Sequence, residues 1–96
     1  MKTANFKASL PVTYLREGHQ FVAYTPALDL STSGSTFEQA RKRFDEIVRI
    51  FFQECLSMGT LENVLFDLGW EKTDNVWNPP VVVAQGTQPI SIPMTA

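Results

Sequence analysis

The chain has 96 residues, of which 44% are hydrophobic, and a formal net charge of −2. This length predicts one domain with a small core, and chains of this size often gain further burial by oligomerising. The slight negative charge argues against non-specific nucleic-acid binding, which needs concentrated positive potential. The single cysteine, Cys55, cannot form an internal disulfide, and neither a signal peptide nor an apolar run of about 20 residues is visible. We therefore expect a cytoplasmic protein.

A β-hairpin is predicted near the N-terminus. Apolar and polar residues alternate over residues 6–14, which is the period of a strand with one buried face. Pro11 lies inside this run and cannot donate to a sheet, so the strand is expected at an edge or interrupted by a bulge. Residues 16–20 are expected to form the hairpin loop, with Gly18 able to adopt a positive φ. Residues 21–25 are expected to form the returning strand.

The next segment is predicted to be a short strand and a turn that leads into a helix. Leu28 and Leu30 alternate through the third strand. Residues 31–35 are serine, threonine and glycine, which favour a turn. They lack the glycine spacing and the lysine of a phosphate-binding P-loop. Ser35 and Glu38 have the spacing of a capping box, which predicts that the helix begins here.

A long amphipathic helix is predicted over residues 36–57, with Gly59 just past its end. Its apolar residues step by three or four and so line one face. They are Phe37, Ala40, Phe44, Ile47, Val48, Phe51 and Cys55. Ile50 and Phe52 widen this apolar stripe beyond what one sheet needs. The width predicts contact with a second helix or a second subunit.

A second, shorter helix is expected between Thr60, which can cap it, and Gly69, which ends it. The elements together predict an α+β fold. A three-stranded antiparallel sheet packs on the long helix, and the short second helix and a C-terminal strand complete it.

The last part of the chain differs in composition from the rest. Residues 75–96 carry no charge and contain four prolines, Pro79, Pro80, Pro89 and Pro93. The aliphatic runs at 81–83 and 90–92 are long enough for short strands, and the tail is too aliphatic for a solvated coil. We therefore divide the chain into a core, 1–74, and a tail, 75–96. The tail is expected to lie along its own sheet or a partner's and to add a strand near 90–93.

The reactive side chains form no pattern typical of catalysis. Most carboxylates fall on the polar sides of the predicted helices, which does not favour a hydrolytic Mg²⁺ site. His19 is the only histidine, and Cys55 lies on the apolar helix face, so neither a nucleophilic pair nor a zinc site is expected. Arg41, Lys42 and Arg43 spread around the helix. We predict no catalytic residue, no metal and no cofactor.

The aromatic residues near the second helix are better candidates for binding. Trp70 and Trp77 flank a polar turn, and tryptophan anchors interfaces as readily as cores. Packing within the fold or a homo-oligomer is favoured over binding of a foreign partner. Together with Ile50 and Phe52 they are the four candidate interface residues.

The segment 21–40 resembles the HicB-like antitoxin family. The residues that carry the resemblance are Ala23-Tyr24-Thr25-Pro26, Leu28 and Gly34-Ser35-Thr36-Phe37-Glu38-Gln39-Ala40. With the hairpin before and the long helix after, the likeness covers about residues 5–57. It implies a partial ribonuclease H-like fold: a three-stranded antiparallel sheet, a crossing helix and a further strand, without that fold's catalytic carboxylates. It also implies that the protein binds and blocks a small basic RNA-cleaving toxin.

Many members of this family carry a C-terminal DNA-binding module, but nothing in residues 75–96 resembles a recognition helix. The chain resembles a stand-alone branch of the family, and direct DNA or membrane binding is not expected. The preferred function is a non-catalytic type II toxin–antitoxin antitoxin, or an orphan relative, that assembles as a homodimer or higher oligomer. The alternatives are a divergent ribonuclease H-like, metal-dependent nuclease and a purely structural oligomeric subunit.

Overall fold

The computed structural model describes residues 8–95, which form an α+β fold. Its elements are β1 (Thr13–Glu17), β2 (Gln20–Thr25), β3 (Leu30–Gly34), α1 (Phe37–Met58), α2 (Leu61–Asp67), β4 (Glu71–Thr73) and β5 (Val76–Asn78). The first three strands form an antiparallel sheet in the order β1-β2-β3, and β4 pairs with β5. The predicted fold class is therefore confirmed, with a strand pair following the second helix.

The N-terminal hairpin has a tighter turn and a later start than the sequence indicates. Glu17 pairs with Gln20, so only Gly18 and His19 form the turn, and Gly18 has a φ of 59°. Glycine at the first position of a two-residue hairpin turn supplies this positive φ without strain. The strand predicted over residues 6–14 begins only at Thr13, after Pro11, which has no N–H to donate. Residues 6 and 7 of that prediction lie outside the described residues.

The third strand includes the segment that was expected to be a turn. β3 runs from Leu30 to Gly34, and Ser31, Thr32 and Ser33 pair with Tyr24, Ala23 and Val22. Hydrogen bonding to β2 outweighs the weak turn preference of serine and threonine, because strand propensity depends on context. The serines thereby become part of the sheet surface.

The N-terminus of α1 is capped one residue later than predicted. Thr36 is the N-cap, and its Oγ1 accepts a hydrogen bond from the Gln39 backbone N–H at 3.0 Å. The Gln39 Oε1 in turn accepts from the Ser35 N–H at 2.6 Å and from its hydroxyl at 2.9 Å. Glu38 instead forms an ion pair with Arg41. The helix ends as predicted at Gly59, which has a φ of 69°.

Close packing joins α1 to one face of the sheet. Ala23 and Thr25 of β2 and Ala40 of α1 are fully buried there. A Cβ atom on Gly34 would lie 2.7 Å from the Ala40 backbone nitrogen, so only glycine fits at this position. The small residues on both elements let the helix approach the strands directly.

A second buried cluster lies under α2 and the loop after β2. It contains Ala27, Leu28, Leu65 and Trp70, and the Trp70 indole N–H donates to the Ala27 carbonyl at 2.8 Å. The ring of Phe52 from α1 packs against Trp70 in an edge-to-face arrangement at 6.4 Å. Phe52 packs against this cluster, which includes Leu65 of α2, so the apolar flank of α1 contacts a second helix, one of the two alternatives predicted for it.

The C-terminal strand pair lies earlier than the strand expected near residues 90–93. Asp74 and Asn75, with φ of 51° and 64°, form a two-residue turn between β4 and β5. Residues 79–95 contain no strand and no helix, including the runs at 81–83 and 90–92. Neither helix of the described chain is long and apolar enough to cross a membrane.

Candidate protein-binding surface

The four residues predicted as an interface occupy different environments. Trp70 is 3% exposed and donates its N–H within the fold, and Phe52 packs on it. These two side chains stabilise the chain's own core and offer a partner little surface. Ile50 is 51% exposed on α1. Trp77 is half-buried, with the Lys72 Nζ 5.7 Å from its ring centre.

The residues considered for chemistry are also dispersed. His19 is exposed at the hairpin turn, whereas Cys55 is buried on α1. Within residues 8–95, no three His, Cys, Asp or Glu side chains come together as they would around a metal ion.

The sheet face opposite α1 is the broadest polar surface that the strands present. Paired residues of an antiparallel ladder point to the same face, and Ala23 and Thr25 point toward α1. The residues between them in sequence therefore point away from the helix. We call this surface the open face, and its residues are Thr13, Leu15, Glu17, Gln20, Val22, Tyr24, Ser31 and Ser33.

The open face has an apolar centre with a polar margin. Leu15 pairs with Val22 at the centre, and Ser31 and Ser33 are exposed along β3. In residues 8–95 the second helix packs on α1, and β4 packs on β5, so neither covers this face broadly. Ser31 and Ser33 alternate along the sequence as strand residues on one face would, but a run of serine, threonine and glycine is also typical of a turn. The register of the sheet is what assigns them to one surface.

Two carboxylates give the open face a negative character. Glu17 lies at the end of β1, and Asp29 lies at the margin of the face, in the turn just before β3, where its Oδ1 accepts a hydrogen bond from the Tyr24 hydroxyl at 3.2 Å. Partial desolvation, together with this bond and the Asp29 charge, raises the pKa of Tyr24 above its usual value. Tyr24 therefore stays protonated and acts as a donor. No lysine or arginine occupies an outward position of the three described strands.

A groove on the other side of the sheet has balanced charge. It encloses about 570 Å³ beside Tyr14, whose ring packs against Phe37 at 4.8 Å. Its remaining lining comes mostly from charged side chains of α1, which pair along the helix as Arg41 with Glu38 and Arg49 with Asp45. These pairs are exposed and contribute little energy. The groove therefore has no net preference for a partner of either charge.

A smaller cleft separates the end of α1 from α2. It encloses about 440 Å³ and is lined in part by Cys55, Leu56, Leu61 and Trp77. Its size and mixed lining do not distinguish one ligand class from another. The open face, in contrast to the groove beside α1, carries the Glu17 carboxylate and no lysine or arginine.

Comparison with known proteins gives no further assignment. No protein-family model, no curated protein and no solved structure matches this chain.

Proposed function

We propose that the chain is a non-catalytic HicB-like binding protein, an antitoxin or an orphan relative of one, whose partner is a small basic RNA-cleaving protein. The observation that carries this proposal is the open face, which presents the Glu17 carboxylate and, through the Tyr24 hydroxyl, contacts the carboxylate of Asp29 at its margin. The order of hairpin, third strand and crossing helix is compatible with the fold that the resemblance implies. The proposal includes a cytoplasmic location and a homodimer or higher oligomer.

The mechanism is steric. A basic partner is attracted by the carboxylates, because complementary charges raise the association rate and exclude partners of the same sign. The apolar centre at Leu15 and Val22 then supplies area that is removed from water when the partner docks. The partner's RNA-cleaving surface is covered, and the chain itself makes or breaks no bond.

The first experiment measures binding and inhibition together. The full chain is titrated by calorimetry into the small basic protein encoded by the neighbouring reading frame, and RNA cleavage by that protein is followed with and without the chain. We expect a stable complex and loss of cleavage. A neighbouring product that neither binds nor is inhibited contradicts the proposal.

A charge reversal tests which surface is used. We expect Glu17→Lys to weaken binding about ten-fold, because it places a positive charge on the open face against a basic partner. Glu54→Lys is the matched control, since Glu54 is exposed on α1 and makes the same change of charge elsewhere. Equal effects of the two variants would mean that overall charge, and not the open face, governs binding.

The nuclease alternative has a separate test. The purified chain is incubated with RNA and Mg²⁺ or Mn²⁺, and cleavage is compared with that of Asp29→Asn. We expect no cleavage by either protein. Metal-dependent cleavage by the native chain that is lost in Asp29→Asn would contradict a binding role.

A further inference from the structure

The two outer edges of the sheet differ in how their backbone groups are used. At the β3 edge, the Arg43 guanidinium donates to the Ser33 carbonyl at 2.8 Å, and α1 lies across the strand. At the β1 edge, no strand of the described chain pairs with Thr13–Glu17. Strand edges with unpaired N–H and C=O groups readily accept another strand. In the described residues the β1 edge has no such side-chain bond and no helix packed across it, so it is the more open of the two edges.

The register identifies the backbone groups that point outward from β1. Glu17 and Gln20 flank the two-residue turn and so exchange hydrogen bonds with each other. Alternation along the ladder then directs the N–H and C=O groups of Tyr14 and Arg16 away from β2. Tyr14 is also partly exposed beside Phe37, so an added strand would find an aromatic side chain to cover.

The C-terminal segment contains residues that could pair with this edge as an added strand. We call residues 79–95 the arm; it has no helix or strand and no charged residue. Val81 is 83% exposed and Val83 is 95% exposed, and Ile90, Ile92 and Met94 are exposed as well. Aliphatic side chains gain free energy when they leave water, so an exposed row of them is typical of an interaction segment.

One part of the arm has the properties of a strand that can be added. Residues 81–85 follow Pro79 and Pro80, contain no proline, and begin with three valines. β-branched residues favour the extended backbone, and all five N–H groups can donate. The segment has five residues, as does β1. With a period of two, Val81 and Val83 lie on the same side of it.

Within residues 8–95, the N–H and C=O groups of the arm pair with no strand. Its first residues line a shallow groove with Ser9 and Pro11, and Val83 beyond them is almost fully exposed. The chain is 62 Å long but only 29 and 22 Å across. The α1 helix spans only about 33 Å, so the overall length exceeds that of the longest element of the body. Both the open edge and the strand-forming segment are thus available to a second molecule of the same chain.

We propose that residues 81–85 of one copy add as a fourth strand to the β1 edge of a second copy. Exchange of two arms around a twofold axis pairs both edges and closes the assembly as a dimer. Main-chain hydrogen bonds hold the added strand, and its valines pack beside Tyr14 and Leu15 of the second copy. This inference rests on the homodimer that the proposed function includes and gives it a structural basis, and it uses an edge of the sheet and not the open face that would bind the basic partner.

Sedimentation velocity of the full chain over a wide concentration range tests the proposal. We expect a concentration-dependent dimer, and Val83→Asp should raise its dissociation constant about ten-fold or more, because a charge on an added strand opposes pairing. Met94→Asp is the matched control, since Met94 is 86% exposed and lies outside the pairing segment. It should change the dissociation constant by about two-fold at most.

Arg16→Pro tests the accepting strand, β1, in the same measurement of the dimer. This substitution removes an outward N–H while leaving the hairpin bonds of Glu17 and Leu15 in place. Circular dichroism shows whether this variant keeps the native fold. Val83→Asp needs no such control for folding, because Val83 has almost no contacts to lose. A chain that is monomeric at every concentration, or a dimer that Val83→Asp leaves unchanged, overturns the proposal. Both results are independent of whether a basic partner binds.

Discussion

The body of the chain, residues 13–78, and the arm, residues 79–95, differ in how far their apolar side chains are buried and their polar groups hydrogen-bonded. In the body, Leu65 and Thr25 are fully enclosed, and the Trp70 N–H reaches a carbonyl 43 residues away. No buried side-chain nitrogen or oxygen of residues 8–95 lacks a hydrogen-bond partner. In the arm, aliphatic side chains are exposed and the backbone pairs with no strand. The buried core of the body is therefore satisfied within one chain, whereas the arm, like the β1 edge, is suited to a second chain.

The largest expected difference between the two regions is the loss of free energy of unfolding when an aliphatic side chain is truncated. Leu65→Ala should lower the free energy of unfolding by about 3 kcal/mol, because Leu65 is fully buried and its loss leaves a cavity. Val83→Ala should lower it by less than about 0.5 kcal/mol at concentrations where the chain is monomeric. Urea denaturation followed by circular dichroism measures both. Similar losses in the two variants would contradict the division into body and arm.

A pair of glycines gives the next comparison. Gly34→Ala should destabilise the body by about 2 kcal/mol, because the new Cβ meets the Ala40 nitrogen at 2.7 Å and the backbone has to shift. Gly86→Ala in the arm meets no atom within 4 Å and should leave stability within about 0.5 kcal/mol of the native value. Thermal unfolding of both variants is the measurement. A neutral Gly34→Ala would mean that α1 does not approach β3 so closely.

A smaller difference in stability is expected between substitutions at the two helix N-termini of the body. Thr36→Ala should cost about 1 kcal/mol, because the Thr36 Oγ1 accepts the Gln39 N–H. Thr60→Ala should cost much less, since the Thr60 side chain makes no capping hydrogen bond. The difference in urea midpoint between these two variants isolates the cap. Equal costs would show that loss of the threonine side chain, and not of the capping bond, is responsible.

The long helix and the second strand of the body could be predicted from the sequence. The apolar stripe of α1 and the glycine after it predict both the helix and its end, and the aromatic and β-branched residues at 21–25 predict β2. These features depend on neighbours a few residues apart, so a single sequence contains the information.

The features that were missed depend on contacts between distant segments. Ser31 and Ser33 are turn formers by preference and become strand residues because β2 pairs with them. Three-residue strands such as β4 and β5 are too short to show a period, although Asp74 and Asn75 are typical hairpin-turn residues. The open face follows only from the register of three strands. For the same reason, the contact of Trp70 with the Ala27 carbonyl, 43 residues away, cannot be predicted from the sequence alone.

Hydrogen exchange of the full chain at a low and a high protein concentration tests whether the core of the body forms within one chain while the arm pairs only with a second chain. We expect backbone amides of β2 and α1 to be protected at both concentrations. Amides of residues 81–85 should exchange freely when the chain is dilute and become protected when it is concentrated. Arm amides that stay unprotected at both concentrations, or are equally protected at both, would contradict pairing of the arm with a second chain.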